Sequence, residues 1–305
     1  MQNKVFTTPK SEIRIPKSYH SEIRNPHSEI DMVLIDAHVH CYPAYPLREF
    51  LEMALKNFHE AARRFEYSGD YGKVLCFTES PRESRFLWLQ QLAANNGMQP
   101  RELSGWRFRK TEENHCLRII SPAQEEMMII AGRQIVTRER LEVLALGTRA
   151  VFPDGQAIQK LLADAAAAGA IPVIPWGFGK WSGARGKVLK SLLHDATLPR
   201  FFLGDNGNRP ASWPRAGLFR IARQNGIKDL PGSDPLPLTG QHLRAGSYGF
   251  MLENSISNDT PFQDLKTHLE NPALQIHPFG QNESLPRFLH HQTAMQWRRV
   301  LRKNE

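Results

Sequence analysis

"DGQAIQKLLADAAAAGAIPVIPW" (154–176) reads as one helix and one strand in immediate succession. Ile158, Leu161, Leu162, Ala165 and Ala166 recur at helical spacing and form one apolar face. Gly169 ends the helix, because a residue without Cβ accepts the left-handed conformation a helix stop requires. The apolar, β-branched run "AIPVIPW" follows as a strand with no polar face, the signature of a strand buried on both sides of a parallel sheet.

The same unit recurs on both sides. Downstream, "RGKVLKSLLHDA", "RFFLGDN", "PRAGLFRIARQNG" and "IKDLPGSD" read as helix, strand, helix and strand. Upstream, "VLIDAHVH" is a strand, and Leu47, Phe50, Leu51, Ala54, Leu55, Phe58, Ala61 and Phe65 mark a helix face. "GKVLCFTES" is the next strand, and "ESRFLWLQQLAANNG" is a helix closed by Asn and Gly. Residues 106–120 have strand character. "EMMIIAGRQIV" and "RLEVLALGT" read as two strands joined by the polar turn "TRER". Alternation this long predicts an α/β chain with parallel sheet, closed as a distorted TIM-like (βα)7 barrel.

Strand ends then become the places to look for chemistry. The first strand ends in Asp36, His38 and His40, which strict alternation places on one face. Glu79, Asp205 and Asp234 follow three other strands. Imidazole with carboxylate suits Zn²⁺, Mn²⁺ or Fe²⁺. His38 and His40 are the candidate ligands, Asp234 a ligand or base, and Glu79 or Asp205 a group that completes the shell or merely caps a helix. Asp36 fixes an imidazole or a loop. "WGFGKWSGARGK" (176–187) places two glycines, Lys180 and Arg185 before a helix start, which is either an anion pocket or a solvated glycine turn. Its spacing is not that of a nucleotide P-loop. Arg209 is a second candidate for gripping an anion, and Trp176 either walls the site or covers the rim.

The motifs together resemble the polymerase-and-histidinol-phosphatase (PHP) family. "IDAHVHC" matches its opening Asp-x-His-x-His, "VLCFTES" falls at its Thr-Asp-His strand, and "IIAGRQIVTRERLEVLALG" is similar to its Gly-x-Glu segment. "AGAIPVIPW" resembles its His-Pro segment and "LPGSDPL" its closing Gly-Ser-Asp-Ala-His. Order and spacing agree from about residue 33 to 238. The resemblance implies a distorted (βα)7 barrel, up to three metal ions and cleavage of phosphate esters. Ser80 stands where that family has histidine, Gln134 where it has a bridging glutamate, Trp176 or Pro175 and Leu236 or Pro235 where it has two further histidines. A neutral carboxamide does not bridge two cations, so the expectation is one divalent ion, as in mononuclear members of the related amidohydrolase superfamily. The implied function is a metal-dependent hydrolase, a phosphoesterase first and an amide or lactone hydrolase second. The alternative is a PHP-like barrel without catalysis that binds a ligand or partner protein.

Composition frames these readings. The 305 residues include 41% hydrophobic and 23% charged, with no apolar run long enough to cross a membrane. Cys41, Cys76 and Cys116 form no CxxC pattern, so a reducing, cytoplasmic setting is expected. The formal charge is +8, but Arg287, Arg298, Arg299, Arg302 and Lys303 crowd the last helix against Glu305 alone. That placement suits a helix C-terminus and makes nucleic acid an unlikely partner; a small anionic substrate is the one expected from Lys180, Arg185 and Arg209 and from the resemblance. "SEIRIPKS" (11–18) recurs as "SEIRNPHS" (21–28), polar and proline-bearing, so residues 1–31 are expected to be a disordered tail preceding a start at Met32. Residues 32–305 form the expected single domain, with an extension from about residue 239 read as a hairpin or lid and a closing helix. Oligomeric state has no signal in the sequence.

Overall fold

The computed structural model describes residues 32–81, 83–94 and 100–301, with side chains to 298. The repeat-bearing tail, the Asn and Gly expected to close the second helix, and the basic residues beyond 301 lie outside the described residues.

The chain runs β1 (Val33–Val39), α1 (Leu47–Arg64), β2 (Gly72–Phe77) and α2 (Arg85–Ala94). Next come β3 (Arg107–Lys110), β4 (Cys116–Ile120), β5 (Glu126–Ile130), β6 (Gly132–Val136) and β7 (Glu142–Leu146). The repeating part is α3 (Ile158–Ala167), β8 (Ile171–Pro175), α4 (Gly183–Leu192), β9 (Phe202–Asn206), α5 (Gly217–Gln224) and β10 (Asp229–Gly232). Last are β11 (Tyr248–Leu252), α6 (Pro261–Glu270), β12 (His277–Gly280) and α7 (Leu285–Leu301).

Among the described residues these strands form two mixed sheets. One has seven strands in the order β12-β11-β1-β2-β5-β4-β3; the other has five, β10-β9-β8-β7-β6. Neither closes, so the expected (βα)7 barrel is not formed. The cause is edge occupancy. A barrel needs each strand laddered on both sides. β1 is paired parallel with β2 and antiparallel with β11. The second edge of β2 is taken by β5, in parallel. Both central strands are therefore saturated, and the edge strands β6 and β10 of the smaller sheet find no ladder partner there. The helix–strand repeat also lapses between Arg107 and Leu146, where five strands follow one another without a helix of α type. Hairpins there make antiparallel pairs β3–β4, β4–β5 and β6–β7. The parallel run β8–β9–β10 occurs where the sequence alternation is cleanest.

The sheets meet at two seams of isolated contacts. At one, Glu79 forms a parallel bridge with Arg133, its N–H donating to Gly132 O (3.1 Å) and its carbonyl accepting from Gln134 N–H (2.9 Å). At the other, Asp234 N–H donates to His38 O at 2.8 Å. Each seam has a glycine where backbones approach. A Cβ on Gly132 would stand 2.5 Å from Phe77 O, and one on Gly232 2.4 Å from His38 N. "EMMIIAGRQIV", expected as one strand, is therefore two: the chain leaves the larger sheet after Ile130 and enters the smaller at Gly132.

Three apolar layers result. Leu47, Phe50, Leu51, Ala54 and Phe58 of α1 pack with Leu34, Leu75, Phe77 and Ile129 of the larger sheet. Val33, Ile35, Val74, Ile130, Leu144, Val173 and Phe250 fill the space between sheets, with Phe262, Leu265 and Leu269 of α6 in the same cluster. Val143, Ala145, Ile174 and Leu203 pack under α3, α4 and α5. Residues beyond 239 are not an appendage to this plan, since β11 and β12 are strands of the larger sheet. Among the described residues no helix is long and apolar enough to cross a membrane, and Cys41, Cys76 and Cys116 are free and buried.

Candidate metal centre

β1 does not keep its alternation to the end. Leu34 and Val39, an odd number of residues apart, pack in the same cluster, and the β1–β2 register shifts between Asp36 and Val39. Such an irregularity turns side chains to the opposite face. Asp36, His38 and His40, expected on one face, are thereby separated. Asp36 is fully buried and ties loops together: its carboxylate accepts from Ser233 N–H (2.8 Å), Gly246 N–H (2.8 Å), His38 N–H (3.2 Å) and the Ser233 hydroxyl. Burial pushes its pKa up to about 7, against the pull of these donors.

His38 and His40 point instead at a common spot. Their Nε2 atoms are 3.2 Å apart, and each lies 3.1 Å from Gln134 Oε1. Asp234 Oδ1 is 3.5 Å from His38 Nε2 and 3.7 Å from His40 Nε2. Asp234 arrives there from the second seam with φ +47°, a left-handed conformation that Asp tolerates better than most residues. Its other carboxylate oxygen accepts from the Asn206 side-chain amide, and its carbonyl accepts from Asn208 Nδ2 at 2.6 Å. A tetrahedral site with bonds of about 2.0–2.2 Å has donor–donor edges of about 3.3–3.6 Å. The separations among His38, His40 and Asp234 are 3.2–3.7 Å, so these three could hold a metal ion, and Gln134 Oε1, 3.1 Å from each imidazole, lies beside them as a further oxygen donor.

A second observation supports the fit. His40 Nδ1 faces Glu83 Oε2 at 3.4 Å, and a carboxylate is acceptor only. A neutral His40 ring with its proton on Nδ1, facing that carboxylate, would leave its Nε2 lone pair for a cation. Burial disfavours charge on both rings; it lowers His38, whereas the carboxylates of Glu83 and Asp234 outweigh it and raise His40. Burial also opposes charge on Asp234, but the two histidines hold its carboxyl below the usual range.

The other candidates lie elsewhere. Glu79 accepts from Phe86 N–H (2.7 Å) at the start of α2 and faces Arg133 at 3.5 Å; its peptide, not its carboxylate, serves the centre by holding Gln134. Asp205 is buried among Arg209 (3.3 Å), Arg215 (3.4 Å) and the Tyr248 hydroxyl (3.0 Å). That pairing also occupies Arg209, which is buried and further bonded to Asn282 Oδ1 at 3.0 Å. Arg185 donates to Gly179 O at 2.7 Å. Trp176 packs with the cluster beneath α4 and α5. Lys180 is ion-paired with Glu142, and its charge reaches Asp234. Sequence reasoning missed Glu83 and Glu142 and read Gln134 only as a lost ligand. Gln134 and Glu142 share a face, since their cross-strand partners Leu144 and Val136 are two residues from Glu142 and Gln134 respectively.

No protein-family model matches the chain, and no curated protein matches it, so the PHP resemblance rests on the motifs. Among solved structures the chain is similar to PsfC from Pseudomonas syringae PB-5123, with 17% identity, 89% of this chain and 100% of that chain covered, and a TM-score of 0.52. That likeness is one of fold. It also overlaps the lesion-specific endonuclease PfuEndoQ from Pyrococcus furiosus (12% identity, 80% of this chain, 57% of that chain, TM-score 0.46). A structure of Endonuclease Q with a 27-mer duplex bearing an abasic lesion overlaps similarly (10% identity, 82% and 60% covered, TM-score 0.47). The chain thus spans about three-fifths of the endonuclease chains.

Proposed function

We propose that this chain is a metal-dependent hydrolase working with one divalent ion. The carrying observation is the convergence of His38 Nε2, His40 Nε2 and Asp234 Oδ1 at separations of 3.2–3.7 Å, with Gln134 Oε1 3.1 Å from both imidazoles. Bound there, Zn²⁺, Mn²⁺ or Fe²⁺ with water as a fifth ligand beside these donors would supply Lewis-acid activation of that water at neutral pH. His38 and His40 hold the ion as neutral donors, and Asp234 is its single anionic ligand. With the neutral Gln134 as fourth donor, a divalent ion leaves the donor set one positive charge. That excess favours an anionic substrate, a phosphate ester first. Lys180 stands at the rim, where an anionic group competes with Glu142 for its ammonium. Asn206, bonded to Asp234, fixes which carboxylate oxygen faces the ion.

Metal content decides this reading. Protein purified without chelator should carry about one equivalent of divalent metal, and the His38→Ala/His40→Ala variant should carry none. A panel of phosphate mono- and diesters, lactones and lesion-bearing duplexes, run with Zn²⁺, Mn²⁺ and Fe²⁺, then identifies the substrate. A second reading, a binding protein without metal, has its own support. With the Gln134 amide turned over, its NH₂ donates to both Nε2 atoms and closes the cluster without an ion. Metal-free wild type that keeps its fold and binds no added ion would establish that reading and end the first.

A further inference from the structure

Glu83 is buried, 7% exposed, and has no part in the donor set. Its Oε2 accepts from Ser80 N–H at 2.9 Å, while its own N–H donates to Ser80 O at 2.9 Å. The reciprocal pair pins the side chain to the turn that leaves the first seam. The same oxygen faces His40 Nδ1 at 3.4 Å. Against the face of the ring, Tyr42 stacks at 5.3 Å between centroids and 12° between planes, which favours this ring orientation. Glu79, one residue before Ser80, holds the Gln134 peptide. One short turn thus sets two of the four donors, one by backbone and one by carboxylate.

We infer that Glu83 is a positioning residue for the metal centre, which holds His40 as the Nδ1–H tautomer and presents its Nε2 lone pair to the ion. The inference rests on the metal reading above for its consequence, but the tautomer is a property of the metal-free protein. A carboxylate behind a ligating imidazole fixes the ring and raises its basicity, and its loss typically costs about 10–100-fold in metal affinity. Glu83→Ala removes acceptor and charge together. Glu83→Gln keeps an oxygen acceptor for Nδ1–H and removes only the charge.

The test has two independent readouts. In metal-free wild type, long-range ¹H–¹⁵N NMR of the histidine rings should show His40 protonated at Nδ1; Glu83→Gln should retain that tautomer and Glu83→Ala should lose its predominance. In Co²⁺ or Zn²⁺ titration, Glu83→Ala should weaken affinity about 10–100-fold, with Glu83→Gln between it and wild type. An Nε2–H tautomer in metal-free wild type, or unchanged affinity in Glu83→Ala, overturns the inference. Should Glu83→Ala fail to fold, Glu83→Gln carries the affinity comparison, and affinity equal to wild type there removes the role of the charge. Wild type that binds no metal, yet shows His40 protonated at Nδ1, would sink the hydrolase reading and leave the tautomer assignment standing.

Discussion

Single residues show how a carboxylate's neighbours decide its work. Asp205 lies at the end of β9 and Asp234 just after β10, both parallel strands of the smaller sheet, and in sequence they are equivalent candidates. Asp205 is neutralised by Arg209 and Arg215 on adjoining segments, while Asp234 meets two imidazoles across a seam. Removing one partner of a buried ion pair strands the other charge, at a cost of about 3–5 kcal/mol. Asp205→Asn should therefore lower the urea midpoint by about 3 kcal/mol of stability, while metal analysis still finds one equivalent. Loss of metal with unchanged stability would instead make Asp205 a ligand. The same contrast explains the limits of legibility in the sequence. The spacing of His38 and His40 announces a centre, but nothing near Gln134 in the sequence says that its amide oxygen meets both rings.

Among the elements, β1 and β2 carry the architecture because both edges of each are used. The helix faces were legible: every residue named on the α1 face from Leu47 to Ala61 is buried, since a 3.6-residue period follows directly from side-chain chemistry. Strand partners were not, because an apolar run reports burial and leaves the neighbour unstated. The hairpins β3–β4 and β4–β5 bring β5 onto the edge of β2 that a closed barrel requires for β6, and the seams take over the job of a ladder. Gly132 is their sharpest test. An added methyl would press on Phe77 O at 2.5 Å and Ala145 O at 2.8 Å, both of them backbone atoms that move only with their strands. Gly132→Ala should cost about 1–3 kcal/mol in denaturant unfolding and weaken metal binding through displacement of Gln134. An unchanged midpoint and unchanged affinity would show that this approach is not limiting.

On the scale of the whole molecule, the proposed ion would join the two sheets: His38 and His40 follow from the larger, Gln134 and Asp234 from the smaller. Apolar packing fills the space between the sheets, but ladder hydrogen bonds do not cross it, so a ligand seated at the seams stabilises the folded state by mass action. At a free-metal concentration about 100 times Kd the gain is about 2.7 kcal/mol. For a chain of this size that corresponds to a rise in Tm of about 5–10 °C, reversed by chelation and missing in His38→Ala/His40→Ala. Equal melting curves with and without chelator would mean that no ion links the sheets.

By itself the sequence determined helices α1 to α5 and α7, the parallel run at residues 171–232 and the paired histidines, since each follows from local periodicity or spacing, whereas α6 went unread. Sheet closure, the company kept by each acidic side chain, and the meeting of Gln134 Oε1 with both imidazoles were decided only in the tertiary structure. Strand pairing is a competition for edges between segments far apart in the chain, and the outcome of that competition is not written in any one of them.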